Sequence, residues 1–291
     1  MRSDTLKGIL YALLSAAGYS SVYILARFAQ TYTEIETFLF WWFLYAAILS
    51  FLVVRKKIGG FRESVKSHTF FFVYFGVSEA VGTFIFFYLL RIMNPSILAF
   101  VGNLSPVFVA VWAFIILREK LTLIEAAGGL IAISGVLIIT GASPSGEILK
   151  ILIVVAITMM FSFNSVLVRL KVRDIPPFFM VTFRIFSLLT VYTVYLLIQK
   201  GGIRLPDVRS IPFIIAGATM GPVVATFSVF QALRYLKAAD VSIIKSIQPL
   251  LVTMGSFVFL GKAVTLRQLM GGILIILGVN LVVVASSRES K

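Results

Sequence analysis

Residues 90–140 read LRIMNPSILAFVGNLSPVFVAVWAFIILREKLTLIEAAGGLIAISGVLIIT, and the same text returns in altered form 143 positions later. That shift puts Arg91 on Arg234, Pro106 on Pro249, Phe114 on Phe257, Thr122 on Thr265, Gly128-Gly129 on Gly271-Gly272 and Gly135 on Gly278. Each copy reads as an apolar helix with a proline near its middle, a charged corner, and a second apolar helix opened by a threonine and carrying glycines. The chain is therefore a tandem of two halves, expected at residues 1–143 and 144–291.

The composition is 59% apolar and 13% charged over 291 residues, more apolar surface than a globule of that size can hide. This is the composition of a membrane protein. The formal net charge of +14 lies in short clusters between apolar runs, the pattern of topology signals rather than of a nucleic-acid face. Cysteine is absent, which excludes disulfides and thiolate chemistry. The lone histidine, His68, falls at an expected membrane edge, where a surface role fits better than metal ligation. The first apolar run is long and has no small-residue cleavage pattern, so it reads as a first span and not as a signal peptide.

A helix needs about 20 apolar residues to cross the hydrocarbon core. Ten runs meet that length, at 6–30, 34–54, 69–90, 95–117, 121–140, 148–170, 175–198, 211–233, 238–260 and 265–286. Threonine followed three residues later by Glu or Gln predicts capping boxes at Thr33/Glu36, Thr122/Glu125 and Thr265/Gln268. Counting Lys and Arg by side gives 16 on the side of the N-terminus and 8 on the other, which predicts a cell-membrane protein with both termini cytoplasmic. Five spans per half is an odd number, so the second half enters from the opposite side. The expected fold is all-α, with ten transmembrane helices in an inverted 5+5 repeat, the architecture of secondary carriers.

The stretch from Asn94 to Thr140, with Leu104-Ser105-Pro106, the corner Arg118-Glu119-Lys120-Leu121-Thr122, and Gly128-Gly129 to Gly135, resembles the EamA-type repeat of the drug/metabolite transporter superfamily. Ile247-Gln248-Pro249 and Leu260-Gly261-Lys262-Ala263-Val264-Thr265 form the second copy, with Lys262 where the first has Glu119. The resemblance implies a multi-pass permease for small organic metabolites, with a central cavity walled by helices 1, 3, 4, 6, 8 and 9.

Charge at membrane depth is costly, so an ionisable residue there is read as functional by default. Glu79, Arg184 and Lys245 all lie well inside spans. Lys245 stands four residues before Pro249, and Gly102 four before Pro106, so two equivalent helices are expected to kink and free a carbonyl. Gly102 and Pro106 share one face, Ser242, Lys245 and Pro249 another, and Asn103 and Gln248 flank them. The expected cavity wall is this seam. Glu79 and Lys245 either pair with each other or meet cargo, while Arg184 is expected to bond between helices or carry a coupling charge. Asn164, Tyr19, Tyr23 and Tyr88 add polar groups inside spans, and the phenylalanines are read as packing or lipid contacts.

Enzymatic motifs fail. The nearest phosphate loop, from Gly255 to Lys262, has five residues between its glycines and Ala263 where Ser or Thr is required. No cofactor, metal or nucleic-acid partner is expected. The expected partners are a small-molecule substrate and the bilayer. The expected function is alternating-access transport of an amino-acid-like zwitterion or organic anion, driven by protons or exchange. An exporter of cationic or amphiphilic compounds is the alternative, and a lipid-modifying membrane enzyme a more distant one.

Overall fold

Inside hydrocarbon a peptide N–H or C=O has no water to bond, so a single crossing segment satisfies its backbone within itself, as a helix. The computed structural model describes residues 2–55, 58–119, 121–141, 145–171, 177–199, 201–236 and 238–289. Among these there is no strand, and ten helical segments are long and apolar enough to span. They are α1 (Asp4–Tyr32), α2 (Ile35–Leu52), α3 (Thr69–Ile92), α4 (Pro95–Leu117), α5 (Leu123–Gly141), α6 (Gly146–Val168), α7 (Phe179–Gln199), α8 (Val208–Val229), α9 (Ile243–Leu260) and α10 (Leu266–Ser286). A short helix, Ile58–Ser67, lies between α2 and α3. The division expected at 143/144 and the start of the seventh span at 175 fall outside the described residues.

The inversion of the halves is visible where α5 meets α10. A Cβ built on Gly128 would stand 2.7 Å from the Gly278 carbonyl oxygen, and one on Gly135 would stand 2.5 Å from that of Gly271. The chains touch backbone to backbone there, which only glycine permits. Because 128 lies against 278 and 135 against 271, the two helices run antiparallel. They are equivalent helices of the two halves, so the halves cross the membrane in opposite senses.

The halves also interlock. The first helix of each packs into the other half, α1 against α8 and α9, and α6 against α3 and α4. Likewise α2 lies on α7 and α8, and α7 on α2 and α3. Every such contact has its counterpart when the halves are exchanged. Trp42 and Phe38 of α2, buried with Phe87 of α3, fill the centre of the largest apolar core.

The corners repeat in detail. Helix α4 closes on Arg118 (φ 56°) and α9 on its counterpart Gly261 (φ 62°), both left-handed. The next amide reaches back six residues in each, Glu119 to the Ala113 carbonyl and Lys262 to that of Ser256. Two expected capping boxes form. Thr122 N–H and Oγ1 donate to Glu125 Oε2 at 2.8 and 2.9 Å, and Thr265 N–H donates to Gln268 Oε1 at 3.0 Å. Ser286 of α10 donates to the other Glu125 oxygen. The third box does not form, because Thr33 Oγ1 donates to Ser210 Oγ at 2.8 Å and accepts from Asp207 N–H at 3.2 Å. Ser210 in the first turn of α8 and Asp207 just ahead of it have taken the hydroxyl expected to cap α2.

Candidate functional site

Helices α4 and α9 are not merely kinked; each is broken. Pro95–Gly102 gives way to Ser105–Trp112, and Ala238–Lys245 gives way to Gln248–Leu260. Pro106 and Pro249 stand in the first turn of each restarted helix, where a missing N–H leaves nothing unsatisfied. Before each proline the chain closes as a tight turn, Val107 N–H bonding the Leu104 carbonyl at 2.9 Å and Leu250 N–H that of Ile247 at 3.0 Å. No described residue donates to the carbonyls of Gly102, Asn103, Lys245 or Ser246. Irregular backbone at membrane depth is tolerated where it lines a cavity.

Both breaks open on a cavity of about 370 Å³ whose lining includes Tyr23, Gly102, Asn103, Ser105, Pro106, Thr158, Lys245, Ser246, Gln248 and Pro249. Its walls come from α1, α3, α4, α6, α9 and α10, so α10, through Val279, takes the place expected of α8. Lys245 is the one charged side chain among the lining residues. Its Nζ sits 4.9 Å from the centre of the Tyr19 ring, a cation–π contact, and no described carboxylate pairs with it. The Tyr19 hydroxyl bonds Thr226 Oγ1 at 3.0 Å, and Thr226 in turn donates to the Gly221 carbonyl at 3.3 Å. That carbonyl lies in a π-helical stretch, Thr219–Ala225, which contains Pro222. Helix α8 thus touches the cavity cation at second hand.

The pseudo-twofold extends to the hydrogen bonds that brace the breaks. Ser162 Oγ lies 3.1 Å from the Ser105 carbonyl, and Ser20 Oγ lies 3.2 Å from the Gln248 carbonyl. Ser105 and Gln248 are equivalent positions, each just ahead of its proline. In both cases a serine on the first helix of one half supports the broken helix of the other. In the sequence Ser20 and Ser162 coincide at a shift of 142, a match that says nothing of what the serines bond.

Glu79 departs from expectation. It is buried, at 6% exposure, and is not among the residues lining the cavity. Its Oε2 accepts from Arg184 Nε at 2.5 Å and its Oε1 from Asn164 Nδ2 at 2.9 Å. Arg184 Nη2 also reaches Thr83 Oγ1 at 3.3 Å, and Asn164 Nδ2 reaches Ser78 Oγ at 2.9 Å. The physical reason is packing: α3 lies against both α6 and α7, so the guanidinium fork spans Glu79 and Thr83, one turn apart. Among the described residues Glu79 pairs with Arg184, across α3 and α7, and not with Lys245. In the other half the corresponding seam is filled by an aromatic ring, Trp42, packed over Gly217.

Of the remaining candidates, Gly102, Asn103, Gln248, Pro106 and Pro249 line the cavity with Lys245, whereas Asn164 does not and Tyr19 lies beneath the lysine. Asn103 Nδ2 is buried without a hydrogen-bond partner among the described residues. Tyr88 is 47% exposed and not part of the lining. The Ser242 side chain lies outside the described residues. Thr158, Ser246, Phe86 and Phe161 are lining residues that the sequence did not single out.

The model of the EamA-like transporter family matches this sequence twice, over residues 6–141 and 148–284. The inner membrane transporter YhbE of Escherichia coli (strain K12), described as uncharacterized, is 29% identical over 139 residues, as is that of Shigella flexneri. The aligned segment is 47% of this chain and 43% of theirs, so the chain spans less than half the length of the relatives it matches. A solved crystal structure of a protein superposes over 100% of both chains with a TM-score of 0.65 at 16% identity, a likeness of fold alone.

Proposed function

The chain belongs to the EamA-like transporter family, and from that premise we propose that it moves a small organic metabolite bearing an anionic group across the membrane by alternating access. The cargo class is an organic anion or an amino-acid-like zwitterion. The observation that carries this is Lys245, the one charged group among the cavity's lining residues, resting on an aromatic face instead of a carboxylate. A cation–π contact is worth about 0.5–2 kcal/mol. A charge-assisted hydrogen bond to a cargo anion is stronger, so cargo draws the ammonium off Tyr19. Asn103 and Gln248 supply hydrogen bonds beside it, and Tyr23, Ser105, Thr158 and Ser246 complete the polar lining.

Glu79 holds Arg184 and Asn164 outside the lining, so it does not face cargo or offer the cavity a proton-binding carboxylate. This supports exchange of one cargo for another over coupling through Glu79. The broken helices give α4 and α9 a hinge at one depth, and the inverted halves supply two equivalent conformations, open to opposite sides. The positive-inside count supports placement in a cell membrane with both termini cytoplasmic. A lone cavity cation works against cationic cargo.

The test is counterflow in proteoliposomes with labelled organic anions, zwitterionic amino acids and amines, parent beside Lys245→Gln. Losing one charge-assisted bond, about 1.5–3 kcal/mol, lowers uptake of the best anionic cargo by about 10- to 150-fold. An amine as best cargo, or parental uptake by the variant, overturns the reading.

A further inference from the structure

Gly102 is the repeat counterpart of Lys245, and both line the cavity. Most glycines within the spans make room for a neighbour: Gly221 for Val22, Gly272 for the Phe100 ring, Gly217 for Trp42, Gly128 and Gly135 for the backbone of α10. At Gly102 an added Cβ would meet nothing within 4 Å. Nor does the backbone call for glycine there, since Gly102 ends a right-handed helix and is not among the positive-φ residues. Neither packing nor conformation accounts for the missing side chain. What it does is leave cavity space open at the pseudo-symmetric position to the cation.

We propose that Gly102 is the specificity-determining position of the cavity, left bare so that the non-anionic part of the cargo lies beside it while Lys245 takes the anionic end. The proposal rests on the reading of Lys245 given above. A methyl group at 102 narrows the range of cargo sizes, and a longer side chain closes the site to bulky cargo without touching the Lys245 contact. The other half makes the same point from the opposite side: where the first half leaves the position empty, the second fills it with a long, flexible cation.

The chain contains no cysteine, so Gly102→Cys in the full chain introduces a single thiol. It is treated in proteoliposomes with an anionic and a cationic methanethiosulfonate reagent. The thiol is expected to react with both, and about tenfold faster with the anionic one, because Lys245 concentrates anions in the cavity. Adding Lys245→Gln is expected to abolish that preference. A thiol that reacts only after denaturation overturns the assignment of Gly102 to the cargo space. Ready labelling with a preference that Lys245→Gln leaves unmoved overturns the Lys245 reading instead, so the two failures are distinct. In transport, Gly102→Ala and Gly102→Leu are compared over amino acids from glycine to tryptophan. Uptake of the largest cargo is expected to fall by about tenfold or more, with the smallest nearly unchanged. Equal effects at all sizes, or none, overturn the proposal.

Discussion

Replacing Arg184 with methionine removes the guanidinium and keeps most of its length, and the consequence can be worked from the geometry. Glu79 then keeps only the Asn164 bond on Oε1, with its other oxygen bare in a site that is 6% exposed. Two unit charges about 4 Å apart attract by about 4 kcal/mol at an effective dielectric of about 20. Stranding one partner of a buried pair costs about 3–5 kcal/mol. Arg184→Met is therefore expected to destabilise the protein by that amount, and Glu79→Gln by a smaller one, since the introduced amide oxygen can still accept from the guanidinium, which also keeps its bond to Thr83. The double variant Glu79→Gln/Arg184→Met strands no charge, so it should be less destabilised than the sum of the singles by about 2 kcal/mol or more. Equilibrium unfolding in mixed micelles measures all four proteins. Additive effects, with coupling below about 0.5 kcal/mol, would refute the claim that this pair is a structural staple joining α3 to α7. The same double variant should keep the parent's cargo preference, because neither residue lines the cavity.

Three further outcomes are expected. Gly135→Val drives a branched side chain into the Gly271 carbonyl, 2.5 Å from the position of its Cβ, and should cost more than about 3 kcal/mol or abolish folding, read by the yield of monodisperse protein in detergent. Gly261→Val forces a β-branched residue to φ 62° and should cost about 1–2 kcal/mol in the same unfolding assay, whereas Arg118→Gly at the equivalent corner should stabilise. Asp207, ahead of α8, has its carboxyl held down to about 2 by the side chain and N–H of Arg209. A depressed carboxylate stabilises above its ordinary value of 3.8 and loses that contribution as pH falls toward 2. Asp207→Asn should therefore flatten stability against pH in that window and nowhere else.

What could be read from the text was what is local or periodic. Span lengths, the duplicated corner with its threonine caps, and the glycines of α5 and α10 are written within a few residues of where they act. The prolines predict kinks, and the structure makes them breaks because each proline starts a new helix after a tight turn. Partnership was harder to read. Glu79 and Arg184 are 105 residues apart, and only the packing of α3 on α7 decides that the glutamate belongs to the arginine and not to Lys245. Thr33 has a capping-box partner three residues on, but Ser210, 177 residues away, takes its hydroxyl. Thr158 looks like any other threonine bonded to the carbonyl four residues back, and its place in the lining depends on where α6 crosses α4.

The most direct test of the central claim, that Lys245 receives the anionic end of the cargo, is binding measured apart from transport. The best anionic cargo from the uptake panel is added at about 100 times its dissociation constant, and unfolding is followed in detergent. The parent should be stabilised by about 2.7 kcal/mol, and Glu79→Gln/Arg184→Met by a similar increment, while Lys245→Gln should gain almost nothing. An equal gain in Lys245→Gln and parent would contradict the account.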